Sequence, residues 1–178
     1  MKEISLIITC DIDGGIGYKN TVPWCIPDAI QKFNEITINV EDENKQNAVI
    51  MGRKTWEMIG CPLSKRVNII ITRKAKTLKI PGVALFEDLN DALVYCNINQ
   101  SIEKSFIIGG ASLYNQCITD HDVDIYLSVL FYNNYKTNIY IDIKSVFNNF
   151  RIKKDDRYEL EHMNKIFASY ICTKKFIK

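Results

Sequence analysis

The chain has 178 residues, a formal net charge of +2 and a hydrophobic fraction of 47%. That length suits one domain over residues 1–178, with apolar residues enough to bury a core without disulfides. The near-neutral balance, with lysine and arginine scattered along the chain, excludes a dedicated nucleic-acid binder.

The opening stretch, MKEISLIITCD, carries too short an apolar run for a signal peptide core, and no span approaches a transmembrane helix. A soluble, cytoplasmic protein is expected. Six cysteines (Cys10, Cys25, Cys61, Cys96, Cys117 and Cys172) form no C-x-x-C pair. With only His121 and His162, no zinc-ligand spacing arises, so no metal is expected and the thiols read as buried and reduced.

Residues 4–9 form an unbroken apolar run, as in a strand covered on both faces. Residues 11–18, DIDGGIGY, are glycine-rich and predict a loop, without the G-x-G-x-x-G of a Rossmann turn. Asn20-Thr21-Val22-Pro23-Trp24 follows; by itself it reads as a turn and a core tryptophan. Residues 27–38 predict a helix, with Pro27 suited to its first position, Asp28 to its first turn, and Ile30, Phe33 and Ile36 making an apolar stripe. Residues 40–46 are polar and predict a surface loop.

The stretch 49–73 organises the rest. An apolar strand ends at Gly52, and Arg53, Lys54 and Thr55 stand where a short helix begins. Unpaired N–H groups at a helix start favour an anion, and two cations with a hydroxyl on that turn read as a phosphate grip. A Pro62-Leu63 turn leads to Arg66 and a strand over 68–71, followed by Thr72, Arg73 and Lys74. Taken singly, such charges read as a solvated surface. Together they make two cationic clusters at strand ends, where open α/β sheets bind ligands.

A short strand is expected over 83–86 and a helix over 87–96 with Leu89, Ala92, Leu93 and Cys96 on one face. A buried strand over 106–108 runs into Gly109-Gly110-Ala111-Ser112-Leu113-Tyr114. Two glycines between a buried strand and a helix let backbone approach a ligand closely. Residues 125–131 alternate around Ser128, which reads equally as a satisfied core serine. The tail predicts strands over 135–141 and 158–176, a loop or helical turn over 142–150, and a hairpin turning near Asn164-Lys165, where His162 reads as structural. The sum is an α/β fold with a mostly parallel sheet, an antiparallel C-terminal hairpin and helices on both faces.

The run MGRKTWE-x-IG-x-PL-xx-R-x-NII, starting at Met51, resembles the dihydrofolate reductase family. Motifs support the resemblance from residue 4 to about 131, and pattern alone beyond. It implies a single-domain fold of that type, monomeric, without nucleic-acid or membrane partners. It also implies a part in one-carbon metabolism: NADPH-dependent reduction of 7,8-dihydrofolate to tetrahydrofolate by hydride transfer.

The cofactor residues it implies are Thr9, Ile16, Gly17 and Asn20 around the glycine loop, which would cover the nicotinamide and exclude water. Gly52, Arg53 and Thr55 would meet the pyrophosphate, and Lys54, Thr72 and Arg73 the adenosine 2′-phosphate. Gly109, Gly110, Ala111, Ser112, Leu113 and Tyr114 would close the other side. For the substrate it implies walls from Ile8, Phe33, Met58, Ile59, Leu63 and Ile108, and a pterin hydrogen bond through Ser128. Arg66 would pair with the glutamate α-carboxylate, which a planar guanidinium suits. Trp24 would hold a water beside the pterin.

One position departs from the family. Its helix acid stands five residues after the tryptophan and four before the phenylalanine, and both counts land on Ala29. Asp28 precedes it, turned by about 100° on a helix. Three readings stay open. Asp28 reaches the pterin from a shifted backbone and is the catalytic acid; or water delivers the proton; or the substrate is a pyrimidinone of the riboflavin pathway, which Arg66 argues against. A non-catalytic or weakly active NADPH- and folate-binding protein is the further alternative.

Overall fold

The computed structural model describes residues 2–120, 122–131, 135–160 and 165–174. In chain order the elements begin β1 (Ile4–Asp11), β2 (Gly15–Gly17), α1 (Pro27–Ile38), β3 (Gln46–Gly52), α2 (Arg53–Ile59), β4 (Arg66–Ile71) and β5 (Val83–Phe86). There follow α3 (Leu89–Ile98), β6 (Ile102–Ile107), α4 (Ala111–Asp120), β7 (Asp124–Leu130), β8 (Ile139–Tyr140), α5 (Ile143–Asn149), β9 (Phe150–Leu160) and β10 (Lys165–Lys174).

An eight-stranded sheet has the order β5-β4-β3-β6-β1-β7-β10-β9. β1 pairs in parallel with β6 and β7, and β3 with β4 and β6, while β10 pairs antiparallel with both β7 and β9. The expected sheet is therefore present, antiparallel hairpin included.

Alternation along each strand divides the core between two faces. Leu6, Ile8 and Cys10 of β1 join Ala48 and Ile50 of β3 on the face covered by α3, α4 and α5. Val49, Met51, Ile70 and Phe106 point the other way, against Ile36 of α1 and Trp56 and Ile59 of α2. The strands in the middle read as unbroken apolar runs because both faces are covered. No helix among the described residues is long and apolar enough to cross a membrane.

Several elements differ from expectation. The glycine-rich stretch is not only a loop: Gly15–Gly17 pairs with β8 in a two-stranded sheet. Tyr18 and Thr21 exchange backbone hydrogen bonds around Lys19 and Asn20, both at positive φ, a hairpin turn of the primed type. Of 135–141 only β8 is strand, and 143–149 is a helix, α5, whose N-cap Asp142 accepts from the Ser145 N–H. α3 starts two residues later than expected because the Asp88 side chain caps it through the Asn90 N–H. β9 begins at Phe150, since an edge strand needs a pairing partner more than an apolar sequence. The expected roles of His121, His162 and Asn164 lie outside the described residues.

Candidate active site

A cavity of about 1260 Å³ runs from the C-terminal ends of β3, β4 and β6 across the α1 side of the sheet to β7 and β10. At its first end, Gly52 closes β3 and donates its N–H to the Gly109 carbonyl at 2.7 Å, so the two loops meet. The Gly109–Gly110 peptide is cis and Gly109 has φ of 115°. That φ strains any side chain, and a Cβ there would press on Tyr114 at 3.1 Å from its hydroxyl, so glycine is favoured. Tyr114 donates that hydroxyl to the Ile7 carbonyl at 2.7 Å, and burial raises its pKa.

α4 begins at Ala111, and its first backbone bonds run from Leu113 and Tyr114 to the Gly110 carbonyl. Thr72, buried, starts the turn after β4, and Arg73 and Lys74 stand exposed beside it. Arg53 pairs on the surface with Glu57 of its own helix. Lys54 and Thr55 also line the cavity. Two cationic turns, a glycine pair and the start of α4 thus converge on one opening, a donor set that fits a phosphate-bearing nucleotide.

At the other end Trp24, Phe33, Met58, Ile59, Leu63, Ile108 and Ser128 all line the wall. Thr9, Ile16, Gly17 and Asn20 line the stretch between. Buried amides hold these parts in place. Asn68 bonds the Leu63 N–H at 2.9 Å and returns its own amide hydrogens to the Leu63 and Arg66 carbonyls, fixing the Pro62-Leu63 turn. Asn47 ties the end of α1 to the sheet through the Thr37 and Asn39 carbonyls and the Lys104 N–H.

Buried Asp11 ties down the glycine stretch. It accepts from the Gly15 N–H at 2.6 Å, the Asp13 N–H at 3.0 Å and the Thr137 hydroxyl at 2.9 Å. Gly15 has no room for a Cβ between the Asp11 and Thr137 side chains. Cys10, beside it, is inert: burial, and then the Asp11 charge, push its thiol up to about 12.

Three expected site residues are not in the cavity wall. Ile8 is 0% exposed and packs with the α3–α5 face, while Ile7 and Thr9 line the cavity. An apolar run without alternation carries no phase, so nothing in it chooses between Ile7 and Ile8. Asp28 is exposed and outside the wall, and Ala29 lies within it. Asp28 sits in the first turn of the helix from Pro27, and its exposed position outside the wall gives the expected catalytic role no support.

Arg66 lies behind Phe33, its guanidinium carbon 5.7 Å from the ring centroid. It is 8% exposed and donates to the Ser64 carbonyl, Asn34 Oδ1 and Thr37 Oγ1. Burial lowers its pKa below the usual guanidinium range, and no carboxylate pairs with it among the described residues. Lining residues that the motifs did not indicate include Ile7, Ile26, Lys32, Tyr126, Ile139 and Ser169. Lys32 and Ser169 gave only the weak signal of polar residues among apolar ones.

Fold and cavity define a small-molecule-binding protein of the open α/β class, basic at one end of its cleft and aromatic and aliphatic at the other. The profile of the family described as "Dihydrofolate reductase" matches residues 3–175. A Caenorhabditis elegans protein provisionally named a dihydrofolate reductase is 34% identical over 148 residues, 79% of this chain and 78% of that one. The dihydrofolate reductase of Heliothis virescens is 36% identical over 123 residues, 66% of each chain.

A bifunctional dihydrofolate reductase-thymidylate synthase of Paramecium tetraurelia is 31% identical over 163 residues. Those residues make 90% of this chain but 32% of that one, so this chain spans about a third of it. Among solved structures, the dihydrofolate reductase of Enterococcus faecalis, complexed with NADP(H) and RAB-propyl, superposes with a TM-score of 0.79 at 21% identity. The match covers 97% of this chain and 96% of that one and shows the shared fold. The chain belongs to the dihydrofolate reductase family.

Proposed function

We propose that the protein reduces 7,8-dihydrofolate to tetrahydrofolate with NADPH, and that no protein carboxylate supplies the proton. The observation that carries this is a single cavity lined at one end by Lys54, Arg73 and the Gly109-Gly110 turn and at the other by Trp24 and Phe33. Two ligands placed side by side in it would react as neighbours, an advantage of orientation alone.

NADPH, when bound, supplies the hydride. Lys54, Thr72 and Arg73 would hold its 2′-phosphate by charge. Gly52, Arg53, Thr55, Gly109, Gly110, Ala111, Ser112, Leu113 and Tyr114 would hold the pyrophosphate region, and Thr9, Ile16, Gly17 and Asn20 the nicotinamide. Phe33, Met58, Ile59, Leu63 and Ile108 would enclose the substrate, with Ser128 at the pterin. Trp24 would hold a water there. Arg66, buried without a carboxylate partner among the described residues, would take the α-carboxylate of the substrate's tail.

Ala29 offers no proton, so water must deliver it to the imine nitrogen. A general acid typically contributes ~10²–10⁴ in rate, and turnover would be reduced accordingly. We read the protein as a monomer acting in the cytoplasm. The test is to mix it with NADPH and dihydrofolate and identify the product. Tetrahydrofolate formed in step with NADPH loss supports the reading. NADPH binding without turnover from pH 5 to 8 would point instead to a binding protein, and preference for a pyrimidinone to a different reductase.

A further inference from the structure

The segment between β4 and β5 carries Arg73, Lys74, Lys76 and Lys79, and residues 72–86 contain no aspartate or glutamate. Arg73 and Lys74 line the cation-rich end of the cavity. The segment is anchored where the Thr72 N–H donates to the Phe86 carbonyl at 2.8 Å, and it then coils tightly. The Ala75 N–H donates to the Thr72 carbonyl, and the Thr77 and Leu78 N–H groups both donate to the Lys74 carbonyl. Thr77 adds its hydroxyl to that same carbonyl at 3.2 Å.

Thr77 is exposed, as are Arg73, Lys74, Lys76 and Lys79. Lys76 pairs on the surface with Glu87 at 3.2 Å. On one helical turn, residues three and four apart are neighbours, with about 5–6 Å between Cβ atoms. Lys74 and Arg73 are those neighbours of Thr77. One exposed hydroxyl thus lies within side-chain reach of Arg73, assigned above to the adenosine 2′-phosphate, and of Lys74 beside it.

We infer that Thr77 is a phosphorylation site for a basophilic protein kinase, and that phosphothreonine there closes the cation-rich end of the cavity to NADPH. This rests on the NADPH reading above. The Thr77 oxygen attacks the γ-phosphorus of ATP, the new O–P bond replaces the bond to the ADP oxygen, and the hydroxyl proton passes to the kinase's base. Cations stand one, three and four residues before the threonine and two after it, a charge pattern that an acidic kinase groove recognises.

The added phosphate carries a charge of about −1.5 to −2 at neutral pH and three acceptor oxygens. Esterification removes the hydrogen that reaches the Lys74 carbonyl, so the group turns from that carbonyl toward the neighbouring guanidinium and ammonium. Guanidinium takes phosphate through two parallel hydrogen bonds, and Arg73 so engaged is withdrawn from a ligand's 2′-phosphate. The phosphothreonine also repels that phosphate directly. NADH carries no 2′-phosphate and escapes both effects.

The experiment has two arms. In the first, the intact protein is incubated with ATP and the catalytic domain of a basophilic serine/threonine kinase, and tandem mass spectrometry locates the phosphate. It should be found on Thr77, and its absence there after exhaustive incubation would overturn the site. In the second, phosphothreonine is incorporated at position 77 during synthesis, and NADPH and NADH are titrated by calorimetry.

NADPH affinity should fall by roughly tenfold or more, while NADH affinity stays within about twofold, which also reports that the protein is folded. Thr77→Ala should bind both as the unaltered protein does. In Arg73→Ala, already weakened toward NADPH, the phosphate should cost less than about threefold further, because its partner is gone. An NADPH affinity unmoved by the phosphate would overturn the inference, as would an equal loss for the two dinucleotides. If the unaltered protein binds NADPH and NADH alike, the NADPH reading fails and this inference with it.

Discussion

At the residue scale, the account turns on Ala29 and Arg66. Ala29 occupies the wall where the family's acid would stand, and Asp28 faces outward. Ala29→Asp should raise turnover at neutral pH by roughly 10²-fold, the lower end of what a positioned acid contributes, while Asp28→Asn should leave it unchanged. Steady-state rates with saturating NADPH check both, and a loss of turnover in Asp28→Asn would contradict the wall as described. Arg66→Lys keeps the charge but loses the flat fork that meets Ser64, Asn34 and Thr37 at once. It should raise the KM for dihydrofolate by roughly tenfold and leave that for NADPH unchanged; an equal loss of both would contradict the assignment. These residues were legible unequally. Ala29 can be counted from Trp24 and Phe33 and does line the cavity, whereas Arg66, expected from the family resemblance, lies outside its wall, and Ile7 was not legible because an unbroken apolar run has no phase.

At the element scale, two carboxylates act on backbone rather than on ligand. Asp11 fastens the Gly15–Gly17 strand to β1 and, through Thr137, to the segment before β8. Asp11→Ala would leave the Gly15 N–H without its acceptor in a buried setting, a cost of about 1–3 kcal/mol. Amide exchange over residues 13–18 should quicken and the KM for NADPH should rise; exchange confined to its original rate would show that the strand is held otherwise.

Glu103 accepts the N–H groups of Glu41 and Asp42, and those bonds hold its pKa below 4.5. A depressed carboxylate stabilises the fold above its unfolded value and loses that contribution as pH falls through its folded one. Glu103→Gln should therefore lower stability above pH 4.5 and converge with the unaltered protein in acid, as urea unfolding at several pH values would show. The sequence made the elements around 49–73 readable because strand, turn and helix residues agreed there. The tail was harder: β9 is charged for much of its length, and β8 is two residues whose pairing with β2 only the tertiary structure reveals.

At the scale of the whole molecule, the sheet order puts β1 and β3 on either side of β6, so the Gly52 and Gly109 turns close on one another. The same order sets the hydroxyl face of β7 and β10 along the far wall of the cavity. Sequence motifs marked the glycine- and cation-lined end of the cavity almost residue by residue, since glycines and cations at strand ends carry a local signal. The aromatic and aliphatic end depends on which face of a covered strand points inward and on a distant strand, β10, so its Ile7 and Ser169 were not readable in advance. Arg73→Ala should weaken NADPH by tenfold or more while leaving NADH within about twofold, since only NADPH carries the 2′-phosphate. Equal effects on the two would remove Arg73 from that end.

The most direct measurement is the pH dependence of a single turnover, with NADPH and dihydrofolate premixed against excess protein and the hydride step followed from pH 5 to 8. With no carboxylate among the described residues of the wall, the rate should keep rising as pH falls, by about tenfold per unit, and Asp28→Asn should trace the same line. A plateau at the acid end that Asp28→Asn removes would contradict the account, because it would show a protein acid at work where the structure places only Ala29.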